Sequence, residues 1–303
     1  MSELTVSVVI PAYKATRTIG RALESVFAQS KKPREVVVVD DGSPDDIATA
    51  LLPYNEKVTL IRKINGGAAT ARNLGIEQSS GDLIAFLDAD DYWEPDKLAR
   101  QLAIFVRYPK VGLVGSRFFS QEPGSTRVIQ KAGDVNLFGR VLAPKGREIF
   151  EVMEEFWTTT VVLRREALGE NRFVPGLEPA EDRDLWIRLI ASGPVYLDEQ
   201  PLATWVLEPG SLSRSSIDKD CGNMLRVVRR HEALLGVAGS RFWEADTFRR
   251  WASVHLAQGR PAAALGRAWE RLRLQPHSAQ AWWICLKCMT LAAFSPTRRH
   301  RPL

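Results

Sequence analysis

The chain has 303 residues, 45% of them hydrophobic and 25% charged, which is ordinary for a soluble globular protein with room for one large domain or a domain plus an appendage. Its three cysteines (Cys221, Cys285, Cys288) form no disulfide framework and fit a reducing cytoplasm; no apolar stretch reaches the ~20 residues of a spanning helix, and Glu3 with no basic, apolar leader predicts no signal peptide. The net charge of +5 is split, because residues 226–303 carry 13 arginines and one lysine against four acids, or +10, which leaves −5 on residues 1–225.

The first apolar run, Val6-Ser7-Val8-Val9-Ile10, reads as a buried strand that breaks into Pro11-Ala12-Tyr13-Lys14. Residues 17–29 set Ile19, Leu23, Val26 and Phe27 at helical spacing, and Pro33 follows. A second strand, Val36-Val37-Val38-Val39, breaks at Asp40-Asp41-Gly42-Ser43. Asp45-Asp46 opens a helix to about Leu52, ended by Pro53. A short strand is predicted over 58–61. Asn65-Gly66-Gly67 then turns the chain into a helix over 68–78. The third long strand, Leu83-Ile84-Ala85-Phe86-Leu87, ends in Asp88-Ala89-Asp90-Asp91. Glu94-Pro95-Asp96 starts a helix through Tyr108, with Pro95 suited to a first turn. A strand over 111–116 precedes an irregular, glycine-containing stretch over 121–147. Residues 156–163 read as a strand and 184–191 as a helix stopped by Ser192-Gly193-Pro194. Late strands are predicted at 195–197 and 202–207, and the pattern from about Cys221 onward is wholly helical.

Short β-branched runs alternating with helices predict a parallel sheet, whose ligands sit beyond the carboxyl ends of the strands. Three strands would therefore deliver five aspartates and Tyr13 to one edge. Carboxylates that close repel unless a cation or hydrogen-bond donors offset their charge. The first βαβ unit lacks G-x-G-x-x-G, and the chain has no Walker loop, G-x-S-x-G or H-E-x-x-H. What remains is an aromatic for stacking on a base, acids for base N–H or ribose hydroxyls, and a carboxylate cluster for a metal on a diphosphate. Read singly, these pieces have plainer uses: a turn at 40–43, a helix-capping loop at 88–91, a packing tyrosine, a solvated helix start at Glu181-Asp182.

Taken in order they resemble the inverting GT-A glycosyltransferases of family two. The family's strand ending in Pro-x-Tyr-Asn is matched by Pro11-Ala12-Tyr13-Lys14, and its Val-Asp-Asp-Gly-Ser by residues 39–43. Its Asn-x-Gly-x-x-x-Ala-Arg-Asn-x-Gly stretch is matched by residues 65–75, its D-x-D by Asp88-Ala89-Asp90, and its late Glu-Asp pair by Glu181-Asp182. The resemblance covers about residues 4–215. It implies a GT-A, Rossmann-like mixed sheet flanked by helices over 1–219, with a helical accessory region over 220–303. It implies further that Tyr13 and Asp41 contact the base and Asp88 or Asp90 the ribose, with Pro11 and Ala12 also in the nucleotide-sugar site. Gly66, Gly67, Arg72 and Glu181 would line the donor side, and Asp90 and Asp91 would hold Mg²⁺ or Mn²⁺ on the diphosphate. Asp182 would be the general base that activates an acceptor hydroxyl.

The implied activity is sugar transfer from a nucleotide-sugar to a carbohydrate or lipid-linked hydroxyl acceptor, with inversion, in surface or exopolysaccharide synthesis. No nucleic-acid partner is expected. Acceptor contacts are expected from residues 121–160. The rivals are a nucleotidyltransferase, which would want a Gly-rich basic loop after the first strand, and a catalytically inactive scaffold acting through the helical region. The chain departs from the family at its usual Tyr-Arg-x-His-Pro-Gly-Ser, which here reads Trp205-Val206-Leu207-Glu208-Pro209-Gly210-Ser211. The lost basic positions would need a substitute, for which Arg214 is the sequence candidate.

In the helical region, residues 251–260, 262–274 and Pro276 look like one tetratricopeptide-type hairpin, which needs a neighbour to cover its apolar face. That neighbour would be the catalytic domain, a second copy or another protein. Trp282-Trp283, residues 289–294 and the basic Arg298-Arg299-His300-Arg301 suit either a helix on an anionic membrane or a terminal cap with a solvated tail. Cys285-Leu286-Lys287-Cys288 resembles half a zinc site, but no second pair exists.

Overall fold

Residues 6–10 are buried without alternation, so the strand they form must be covered on both faces, as the central strands of α/β sheets are. The computed structural model describes residues 3–130, 133–208 and 216–294. The chain divides into two compact units, Met1–Ser211 and Leu212–Leu303.

In the first unit the elements run β1 (Val6–Ala12), α1 (Ile19–Phe27), β2 (Glu35–Asp40), α2 (Ile47–Leu51), β3 (Thr59–Arg62), α3 (Ala68–Glu77), β4 (Leu83–Phe86) and β5 (Tyr92–Trp93). They continue through α4 (Lys97–Arg107), β6 (Leu113–Gln121), β7 (Val128–Ile129), β8 (Val141–Leu142), α5 (Glu148–Met153) and β9 (Val162–Arg164). The unit ends with α6 (Arg165–Leu168), α7 (Glu181–Ser192) and β10 (Val195–Val206). The sheet order is β3-β2-β1-β4-β9-β6-β10-β5, with β7 beside β6 and β8 beside β10. β1 is parallel to both β2 and β4, so all three release their loops at one edge. Beyond β4 the sheet is mixed: β9 runs antiparallel to β4 and β6, and β10 parallel to β6. This is the mixed sheet flanked by helices that the sequence implies.

On one face Ile19, Ala22, Leu23 and Val26 of α1 pack against Val8, Ile10, Val36 and Val38. On the other, α3 lies so close to β1 that a Cβ on Gly75 would stand 2.3 Å from Val9 Cγ1. Glycine at 75 thus sets how near the sheet α3 sits.

Several boundaries differ from the sequence reading. Residues 156–163 are not one strand, because Thr158–Thr160 forms a 3₁₀ turn before β9, closed by Thr160 N–H and hydroxyl donating to Trp157 O at 2.8 and 2.7 Å. The two late strands are a single strand, β10, whose register shifts around Pro201, a residue with no N–H for the ladder. Pro53 does not stop the chain turning but sits in a 3₁₀ turn, Leu52–Tyr54. The helix predicted over 184–191 starts earlier, so Glu181 and Asp182 occupy its first turn.

The second unit comprises α8 (Ile217–Arg230), α9 (Glu232–Ala257), α10 (Pro261–Leu274) and α11 (Ala279–Phe294). α9 is interrupted at Gly236, whose φ of 73° suits a residue without Cβ. The C-terminal half of α9 and α10 form a helical hairpin, with Ala252, Ala264 and Ala268 in a shared buried cluster. Its neighbours come from the same chain. α11 adds Ala281, Ile284, Cys285 and Cys288 to that cluster, while α8 packs Cys221 and Leu225 on Phe248 and Trp251. Both cysteines of α11 are buried, which pushes their thiol pKa values up. No helix among the described residues is long and apolar enough to cross a membrane.

Lys97 is fully buried in the first unit, its Nζ 2.7 Å from Gln101 Oε1 and 4.2 Å from the Trp93 ring centroid. Burial holds its pKa well below the ordinary 10.5. A lysine depressed in the folded state binds fewer protons there than when unfolded, so its contribution to stability rises with pH up to about 10.5. Chemical denaturation should therefore find Lys97→Met more stable than the parent at pH 7, with the gap narrowing by pH 10. A gap of constant size would contradict this.

Candidate active site

The loops leaving β1 and β2 are knitted together. Asp41 N–H donates to Ala12 O at 2.9 Å, Lys14 N–H to Ser43 Oγ at 3.1 Å, and Ser43 N–H to Asp40 Oδ1 at 2.8 Å. Pro11 and Ala12 close β1, and Tyr13 stands exposed beyond it, 46% accessible, with Lys14 Nζ 5.3 Å from its ring centroid. Asp41, for which the resemblance implies a contact with the base, is also engaged by the chain itself. It is buried, and its Oδ1 accepts from Lys63 Nζ at 2.6 Å and Gly66 N–H at 3.0 Å, while Oδ2 accepts from Gly67 N–H at 2.8 Å. The carboxylate therefore shapes the loop, because three of its acceptor sites already serve the chain. Gly66 and Gly67 are needed by this packing. A Cβ on Gly66 would meet Thr70 Oγ1 at 2.8 Å, and one on Gly67, whose φ is +88°, would meet Glu178 Oε1 at 2.8 Å.

Arg72, one turn into α3, is the junction of the site. Its Nη2 donates to Asp88 Oδ1 at 2.8 Å and its Nη1 to Glu181 Oε1 at 2.7 Å, with the guanidinium 5.4 Å from the Phe173 ring centroid. Burial disfavours the charge on Arg72, but Asp88 and Glu181 more than restore it and raise its pKa. Glu181 is itself buried, which pushes its carboxyl up to about 7 against the pull of Arg72. The sequence reading put Arg72 on the donor side; here its two outer nitrogens serve protein carboxylates and tie the acidic loop to α7.

Asp182, beside Glu181, is half-buried. Its Oδ2 accepts from the Thr158 hydroxyl at 2.7 Å and its Oδ1 from Arg183 N–H at 2.7 Å. Asp88, Asp90 and Asp91 follow β4 as expected, but their side chains are not equivalent. Burial and the neighbouring Asp88 push the Asp90 carboxyl up to about 6. Asp91 is 1% exposed, and its Oδ1 accepts from Val206 N–H at 2.9 Å. The expectation that Asp91 faces a metal alongside Asp90 thus meets a carboxylate anchored to β10. Burial and the adjacent acids raise its pKa well above the usual range.

Arg21 of α1 was not foreseen. It donates to Asp90 O, lies 3.5 Å from Glu208 Oε1, and sits 5.6 Å from the Tyr92 ring centroid. Arg21 thus brings a positive charge to the acidic loop, where the family pattern would have basic residues at 206 and 208. Arg214 lies outside the described residues. Thr158, Lys63 and Glu178 also escaped the sequence reading, since nothing in their local pattern announces a partner 24, 22 or over 100 residues away.

Among the described residues no three His, Cys, Asp or Glu side chains form a ready-made metal cage. One or two carboxylates completed by substrate phosphates is, however, the usual way Mg²⁺ is held. Asp88 and Asp90 fit that pattern. They are hard oxygen donors at a sheet edge, and burial together with the neighbouring Asp88 raises the Asp90 carboxyl.

Removing the Arg72 fork should leave Asp88 and Glu181 without a cation. Arg72→Met is expected to lose about 3–5 kcal/mol in urea unfolding. Arg72→Lys should recover only part of it, since one ammonium cannot span both acids. A methionine variant as stable as the parent would show that the triad does not hold the site.

Similarity to known proteins identifies the family. The glycosyl transferase family 2 model matches residues 7–170. The amylovoran biosynthesis glycosyltransferase AmsB of Erwinia amylovora is 34% identical over 220 residues, 68% of this chain and 70% of that one. The succinoglycan biosynthesis protein ExoW of Rhizobium meliloti is 29% identical over 302 residues, 93% of this chain and 87% of its own length. The crystal structure of S. aureus TarS in complex with UDP-GlcNAc superposes with a TM-score of 0.66 at 18% identity, over 96% of this chain and 88% of that one, which shows the shared fold. With the ordered strand-end loops, the Glu181-Asp182 pair and a family match over more than half its length, the chain belongs to glycosyl transferase family 2 and is a GT-A glycosyltransferase.

Proposed function

We propose that this enzyme moves a sugar from a nucleoside-diphosphate sugar to a hydroxyl acceptor with inversion, assisted by Mg²⁺ or Mn²⁺, in building a surface or exopolysaccharide. The observation that carries the reading is Asp182. Its two oxygens are held by the Thr158 hydroxyl and Arg183 N–H, in a first helical turn that Glu181 and Arg72 connect to Asp88. A carboxylate so held, half-buried and in no salt bridge among the described residues, is suited to accept the proton of an acceptor hydroxyl. The freed oxygen then attacks the anomeric carbon opposite the diphosphate, which inverts that centre.

Tyr13 would stack on the base, in a pocket shaped by Asp41 and the glycines at 66 and 67. Asp88, with Oδ1 held by Arg72, keeps Oδ2 for a ribose hydroxyl. Asp90, flanked by Asp88 and backed by the anchored Asp91, would hold the divalent cation. Bound there, the cation would supply Lewis-acid stabilisation of the departing diphosphate. Arg21 adds a second positive charge beside it and stands in for the basic residues missing at 206 and 208. The relatives named for amylovoran and succinoglycan biosynthesis support the polysaccharide setting, and the TarS complex supports a UDP-sugar class of donor.

The reading is tested by a pair of variants. Asp182→Asn should cut transfer by about 10²–10⁴-fold while nucleotide binding persists. Asp90→Ala should remove the Mn²⁺-dependent part of nucleoside-diphosphate affinity in calorimetry. Transfer by Asp182→Asn at the parental rate would exclude Asp182 as the base.

For the setting of the enzyme, we propose that the second unit rests on the anionic inner face of the cytoplasmic membrane. On α11, Trp282, Trp283, Leu286, Met289 and Leu291 are all exposed, Lys287 lies over the Trp283 ring, and the helix carries no acid. Apolar and aromatic residues with basic neighbours suit an interfacial helix. The full chain should sediment with liposomes containing anionic lipid at low salt, and deletion of residues 279–303 should abolish this. Failure of the full chain to sediment leaves α11 as a cap on the hairpin.

A further inference from the structure

Three aromatic rings from separate segments of the first unit, those of Phe118, Trp157 and Trp205, meet in one cluster. Phe118 of β6 and Trp205 of β10 lie on the same sheet face, since Phe118 is in register with Ala203 and Ser120 with Trp205. Trp157, from the turn before β9, stacks on Phe118 at 5.0 Å and 23° and meets Trp205 at 4.7 Å and 49°. All three are half-buried. Among the described residues no hydrogen bond engages the indole N–H of Trp157 or Trp205, whereas Trp93, Trp251 and Trp282 each donate theirs to an oxygen. Unpaired indole N–H groups on accessible rings present an apolar face and a polar edge together.

The array is tied at both ends to the chemistry. Trp157 directly precedes Thr158, whose hydroxyl holds Asp182 Oδ2 at 2.7 Å. Trp205 directly precedes Val206, whose N–H holds Asp91 at 2.9 Å. The backbone of the Trp157 turn is fixed by two hydrogen bonds from Thr160 to Trp157 O. Whatever carries the attacking hydroxyl must bring it to Asp182, and Trp157 is joined to that carboxylate through the adjacent Thr158.

We propose that Phe118, Trp157 and Trp205 form an acceptor subsite on which a cyclic sugar stacks, its C–H face on the rings and its hydroxyls within reach of the indole N–H groups. This rests on the reading of Asp182 as the base, and it names the acceptor class as a pyranose-type ring rather than an open-chain polyol. Flat rings match the flat, C–H-rich face of a pyranose, and an extended polyol chain offers no such face.

The test is saturation-transfer NMR on the full chain with diamagnetic Mg²⁺ and UDP or GDP, using methyl β-D-glucopyranoside and methyl β-D-galactopyranoside as probes and ribitol as the open-chain control. At least one pyranoside should receive saturation that ribitol does not. Trp157→Ala should weaken that binding by about tenfold or more. Trp157→Phe should retain most of it, and calorimetric affinity for the nucleoside diphosphate should be the same in all three proteins. No pyranoside signal, ribitol binding as well as the rings, or pyranoside binding unchanged in Trp157→Ala each overturns the proposal. So does loss of nucleotide affinity in Trp157→Ala with none in Trp157→Phe, which marks the rings as structural packing. Failure of the transferase reading looks different, because the parent protein would then hydrolyse no nucleotide-sugar in the presence of Mn²⁺.

Discussion

A buried guanidinium with two carboxylates on its fork is the constraint on which the site depends. Arg72 is 6% exposed and bridges Asp88, sixteen residues on, to Glu181, 109 residues on. A charge so deep is tolerated only when paired, and removing one partner of such a pair typically costs about 3–5 kcal/mol. The folded state is therefore favoured only when α3, the end of β4 and the first turn of α7 are all in place. Lysine could not do this, because its single ammonium lacks the planar fork that reaches two acids at once. Gly75, one helical turn on, lets α3 approach β1 closely enough for the fork to reach.

From that junction the electrostatics of the site follow. Arg72 answers Asp88 and Glu181, but Asp90, Asp91 and Asp182 lie nearby, and the only other arginine reaching the acidic loop is Arg21, itself drawn to Glu208, among the described residues. Burial first, and the neighbouring acids second, raise the carboxyls of Asp90 and Asp91. A donor diphosphate adds further negative charge, so a cation arriving with it is the natural complement in the proposed mechanism. Asp91, anchored on Val206, couples the acidic loop to β10, and the next residue back along that strand is the ring of Trp205.

The helical unit solves a different problem. Two helices crossing through Ala252, Ala264 and Ala268 come close but bury little apolar surface, so the hairpin needs partners. α8 and α11 supply them from within the chain. Covering the inner face of α11 leaves its tryptophans, leucines and methionine outward, which is why the sequence could suggest both a capping and a membrane-facing helix. The two readings describe opposite faces of one helix.

The strands and the catalytic edge were legible in the sequence for local reasons. Short uninterrupted β-branched runs such as Val36–Val39, alternating with helical patterns, read as buried parallel strands, and the acids that end them must emerge at the same edge once β1, β2 and β4 are parallel. The five motif segments, in order, were enough for the family. What each side chain does at that edge was not legible, because it depends on partners far away in the chain. Asp41 reads as a ligand-facing acid until Lys63, Gly66 and Gly67 are seen to occupy it. Asp91 reads as a twin of Asp90 until Val206, 115 residues on, claims it. Arg21, Thr158 and the ring array of Phe118, Trp157 and Trp205 have no local signature at all. Sequence determined which residues reach the edge, since strand direction and turn chemistry are local; tertiary structure decided which of them are free to meet a substrate, since a carboxylate or ring is available only where no other part of the chain has already satisfied it.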